Sequence, residues 1–88
     1  MSKIQQAFNI LEELLQGKYD PLQFSCDMEQ FLFDNFSSMR QESPEVNDVL
    51  QEELPEICAE GEPGMDFTDM IEKVEREYKK AKEIYSRK

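Results

Sequence analysis

The sequence predicts an all-α fold: a compact antiparallel four-helix bundle that takes residues 1–88 as a single domain. Apolar residues recur at three- and four-residue spacing through most of the chain, the period of a helix with one buried face. An N-cap residue followed by proline marks a helix start twice, at Asp20-Pro21 and at Ser43-Pro44. No run alternates apolar and polar residues as a half-buried strand would. A chain of 88 residues buries only roughly 60–65% of its unfolded surface, so it holds one core and no deep interior cleft.

In the first predicted helix Ile4, Ala7, Phe8, Leu11, Leu14 and Leu15 share one face. Ser2 is placed to cap its start, with Gln5 three residues on, and Gly17 to end it. The second helix follows Asp20-Pro21 and carries the continuous stripe Phe24, Met28, Phe31, Leu32, Phe36 and Met39, flanked by Leu22 and Phe33. The third follows Ser43-Pro44 with Val46, Val49, Leu50, Leu54 and Ile57 inward. Pro55 removes a backbone donor and crowds the preceding turn, so this helix is expected to be kinked or broken there. Gly61-Glu62-Pro63-Gly64 reads as a loop. Asp66 is the expected cap of the last helix, with Asp69 as capping-box partner and Met65 stapled to Met70. That helix presents Phe67, Ile71, Val74, Tyr78, Ala81 and Tyr85 as its seam.

Composition excludes several function classes. Twenty Asp and Glu against ten Lys and Arg give a formal charge of −10. Such a surface repels phosphate backbones, so direct contact with nucleic acid or an anionic membrane is not expected. A basic protein partner suits it, although acidity of this kind also serves solubility alone. The chain contains no His. Nucleophilic cysteine chemistry, zinc sites of Cys/His type and Glu-x-x-His di-iron sites therefore lack their partners. No phosphate-cradling loop or EF-hand loop is present, and no enzyme, metal or cofactor is expected. Cys26 and Cys58 lie in apolar helical patterns, and both read as reduced, buried or half-buried thiols. With no apolar leader or membrane-length segment in the sequence, the expected location is cytoplasmic.

The charge is unevenly placed. No Lys or Arg lies between Arg40 and Lys73, a stretch holding Glu42, Glu45, Asp48, Glu52, Glu53, Glu56, Glu60, Glu62, Asp66, Asp69 and Glu72. From Lys73 onward Lys73, Arg76, Lys79, Lys80, Lys82, Arg87 and Lys88 outnumber Glu75, Glu77 and Glu83. Glu45, Asp48, Glu52 and Glu56 step by three and four and so share a helix face, where like charges destabilise one another. That face meets either the basic last helix or a partner, unless it is simply solvated. Glu45, Asp48, Glu52, Glu53 and Glu56 are the first candidates for a partner-binding surface. Glu60, Glu62, Asp66 and Asp69, in the loop and at the next helix start, follow them. Tyr19, Tyr78 and Tyr85 are secondary interface candidates, with Tyr78 leaning to the core.

The segment LLQGKYDPLQF at residues 14–24 resembles the start of colicin D immunity-like proteins, where one helix ends in a short turn and a capped, Phe-bearing helix follows. MDFTDMIEKV at residues 65–74 is similar in layout to that family's final helix. The resemblance implies a bacterial self-protection protein, a helical bundle whose carboxylates occupy the basic cleft of a cognate nuclease toxin in place of tRNA phosphates. Pro55 and the basic C-terminal helix depart from the family's pattern. The alternatives are an acidic regulatory adaptor docking a peptide or transcription protein, and a homodimeric structural bundle. The free chain is expected to be a monomer or a weak dimer.

Overall fold

Local signals set the helix boundaries. The computed structural model describes residues 2–87 and places five helices among them: α1 (Lys3–Leu15), α2 (Pro21–Asp34), α3 (Phe36–Glu42), α4 (Pro44–Ala59) and α5 (Thr68–Ser86). The Ser2 hydroxyl accepts from the Gln5 N–H at 3.1 Å, capping α1. At the other end Gly17 adopts φ +76°, and the Gly17 and Lys18 N–H groups return to the Leu14 and Glu13 carbonyls at 3.0 and 2.9 Å. This is the double closure that a left-handed glycine permits. Asp20 caps α2 through the Gln23 N–H at 3.0 Å, and Ser43 accepts from the Val46 N–H of α4 at 3.5 Å.

The fold departs from the expected four helices at Asn35. The stretch read as one helix divides into α2 and α3 because Asp34-Asn35-Phe36-Ser37-Ser38 is a run of poor helix formers. The Asn35 side-chain amide donates to the Phe31 carbonyl at 3.0 Å, as does its own N–H, an arrangement that competes with helix continuation. The break keeps Met39 fully buried but turns Phe36 out to 39% exposure, removing it from the expected stripe. Pro55 does not break α4, which runs unbroken from Pro44 to Ala59. Packing on both sides of the proline, at Leu50, Leu54, Ile57 and Cys58, holds the helix through the missing bond.

Ile4, Leu11, Leu14, Phe24, Met28, Leu32, Val46, Leu50, Leu54, Met70 and Val74 form the centre of the core. Each such side chain contributes about 1.5–3 kcal/mol on burial. α4 packs most extensively against α5 and also rests on α2 and α3, while α1 covers the other side of α2, α3 and α5. Phe8 meets Tyr78 and Tyr85 edge-on, with ring centroids 5.8 and 5.5 Å apart. Tyr85 also donates to Glu42 at 2.7 Å, and Glu42 accepts from the Ile4 N–H at 3.4 Å, tying three helix ends together. Two further expectations are corrected. Cys26 is exposed while Cys58 is buried, where burial and the nearby Glu29 push its thiol pKa up to about 12. Asp66 does not cap α5: Phe67 holds that position, and Asp66 accepts from the Thr68 N–H and hydroxyl at 2.9 and 2.7 Å.

The buried stripe of α5 is Met70, Val74, Glu77 and Ala81, so a glutamate occupies a core position at 2% exposure. Burial raises the Glu77 pKa, the Glu53 carboxyl across on α4 raises it further, and Lys80 at 3.4 Å opposes both. The folded chain therefore holds this proton more tightly than the unfolded chain does. The stability it contributes is full below the ordinary glutamate value of 4.5 and is lost as pH rises through the raised folded value. Glu77→Gln should unfold several degrees higher than the parent near pH 7, with the gap closing at acid pH. Thermal melts of both chains across that range measure it, and a gap independent of pH would reject the assignment.

Candidate protein-binding surface

α4 divides into two arcs. Val46, Asn47, Leu50, Leu54, Ile57 and Cys58 are buried. Glu45, Asp48, Glu52 and Glu56 are exposed and, at about 100° per residue, fall within an arc of about 80° directly opposite. Among the described residues no Lys or Arg nitrogen lies within 4 Å of any of these four carboxylates.

Most cations of α5 and its C-terminal end pair elsewhere, and Arg76 makes no ion pair within 4 Å among the described residues. Lys79 pairs with Glu75 at 2.9 Å within α5, and Arg87, just past its end, with Glu83 at 2.7 Å. Lys80 serves Glu77, and Lys82 stands 3.9 Å from Glu12 and 5.3 Å over the Tyr78 ring. One bridge crosses from α5 into the acidic run, Lys73 to Glu60 at 3.1 Å.

The predicted residues thus separate. Glu45, Asp48, Glu52 and Glu56 come together as one face. Glu53 turns to the α5 side and pairs with Glu77, while Glu60 is held by Lys73. Glu62, Asp66 and Asp69 are exposed along the connection to α5 and its first turn. The hydrogen bonds from Thr68 hold the Asp66 carboxyl below the usual carboxylate range. Of the tyrosines, Tyr19 donates to Asp27, and its pKa is raised to about 12 by burial and that carboxylate; Tyr78 and Tyr85 pack on Phe8.

Beside the acidic face lies a feature that sequence reading missed. An open groove of about 600 Å³ between α2 and α4 is lined by Glu29, Leu32, Phe33, Phe36, Gln51 and Pro55. Phe33 is 82% exposed. The Gln51 amide spans its floor, donating at 3.0 Å to the Leu32 carbonyl at the end of α2. The available signal was Phe33 lying off the stripe, next to the helix-weak Asp34-Asn35 pair. Among the described residues no cluster of side chains is suited to hold a metal ion, and no helix is long and apolar enough to cross a membrane.

The like charges on α4 have a measurable cost. Glu52→Lys converts two repulsive i,i+4 pairs, with Asp48 and Glu56, into attractive ones. Its melting temperature should rise by about 2 °C at low salt, with the gain shrinking at high salt. A lowered melting temperature at low salt would mean that the face is neutralised within the fold. No family model, curated protein or solved structure matches the chain.

Proposed function

We propose that this chain is a non-catalytic immunity or antitoxin protein of the cytoplasm, binding a cognate basic nuclease domain through the acidic face of α4 and the connection beyond it. One observation carries the reading: Glu45, Asp48, Glu52 and Glu56 stand exposed on one face with no cation of the described chain against them. Successive carboxylates about 5–6 Å apart along a helix offer a repeating anionic row to a cleft built for phosphates. Inhibition of this kind needs no acid–base group. It needs fast, steered encounter and a surface that excludes the substrate. The resemblance of residues 14–24 and 65–74 to colicin D immunity-like proteins points to a nuclease as the partner. A second reading, an acidic adaptor that docks a partner peptide, is favoured by the apolar groove next to the same helix.

The test is whether a gene adjoining this chain's own encodes a basic nuclease domain and whether the chain inhibits that domain on tRNA; the absence of any such gene counts against the reading. Stoichiometric inhibition is expected, with an association rate that falls steeply as salt is raised. Glu52→Lys combined with Glu56→Lys should keep the helical fold and weaken association by about tenfold or more. Unchanged affinity and salt dependence in that double variant would sink the acidic-face mechanism. A neighbouring nuclease that stays fully active would sink the immunity reading.

A further inference from the structure

We infer that the groove between α2 and α4 seats an apolar side-chain row of the partner, presented on a basic amphipathic helix. The inference deepens the reading above and rests on it in one respect, the positive charge of the partner. Its apolar lining comes from the exposed Phe33 and Phe36, from Pro55, and from the buried Leu32. An exposed Phe gains nothing from folding, and a lone one needs no explanation; here it adjoins three further apolar side chains in a concave site.

Charge selects the occupant. No Lys or Arg lines the groove, and Glu29 does. Glu52 and Glu56 follow Gln51 and Pro55 directly in α4, so the acidic face begins where the apolar lining ends. Pro55 has no N–H to offer the Gln51 carbonyl, which leaves an acceptor without its usual helical donor at the groove. A second copy of this chain would bring a like acidic rim and a net charge of −10 against it, which opposes self-association through this face. A helix with Leu or Phe at i, i+3, i+4 and i+7 and Lys or Arg elsewhere satisfies both the lining and the rim.

The test uses three labelled synthetic peptides of about 18 residues, long enough for five helical turns. One has a Leu stripe on a Lys/Arg background, one is its scrambled isomer of equal charge, and one keeps the stripe on a Ser/Gln background. Fluorescence anisotropy measures affinity, and amide chemical-shift mapping locates the site. The basic striped peptide should bind on the order of tenfold tighter than either control, shifting the amides of Phe33, Phe36 and Gln51. Phe33→Ser should remove that advantage with an unchanged melting temperature, and Phe33→Leu should restore most of it. Equal binding of the scrambled peptide overturns the groove and leaves the acidic face standing. Equal binding of the uncharged peptide overturns the basic occupant and counts against the acidic-face reading too. No binding by any peptide, or a concentration-dependent dimer abolished by Phe33→Ser, overturns the inference.

Discussion

Burial of the Val46–Leu50–Leu54–Ile57 stripe is the constraint on which the rest of the molecule depends. It holds α4 against α5, α2 and α3 together and leaves the helix one rotational setting. A turn of one residue, about 100°, would carry carboxylates into the core, where an unpaired charge costs several kcal/mol. The same setting places the edges of the helix. Glu53 falls on the α5 side, Gln51 and Pro55 on the α2 side, and the four exposed carboxylates between them.

With that rotation set, the charge pattern acquires a physical meaning that net charge alone lacks. The carboxylates of the 42–72 stretch have different fates. Glu42 joins α3 to α1 and α5, Glu60 takes Lys73, Asp66 shapes the turn into α5, and Glu53 meets the buried Glu77 carboxyl. These residues contribute to the fold. The Glu45–Asp48–Glu52–Glu56 row does not: among the described residues no Lys or Arg nitrogen lies within 4 Å of it. Repulsion along the row is small per pair and is outweighed by the apolar face beneath it.

Much of this was legible in the sequence, and the failures have identifiable physical causes. Caps at Ser2, Asp20 and Ser43, the closure at Gly17, and the inward stripes of α1 and α4 are local features, and local chemistry decides them. The division at Asn35 pitted periodicity against propensity: the apolar spacing from Phe24 to Met39 ran on through a segment that does not favour a helix. At Pro55 local chemistry predicts a kink or a break, and the break does not occur, because tertiary packing holds the helix through the missing bond. On α5 the periodicity was right but its centre was not. Tyr78 does pack against the core, on Phe8, but the α4 side of α5 also buries Glu77, and one sequence does not show which neighbour lies there. The acidic row was readable from spacing alone, whereas the groove needed two helices brought side by side.

The acidic row and the groove share α4 but act on different terms of an association. Exposed carboxylates act at long range, across about 8–10 Å of screened solvent, and so govern encounter and the rejection of anionic competitors. An apolar seat acts only on contact. In the proposed complex it would govern dissociation, because water must re-enter around Phe33 and Phe36 before a partner leaves. A purely acidic face would bind any basic surface with an affinity that collapses as salt rises. A purely apolar groove on so small a domain would invite self-association. Set edge to edge on one helix whose rotation the core dictates, each surface restricts what the other accepts. In the proposed complex, selectivity follows from that shared edge, with no buried charge required.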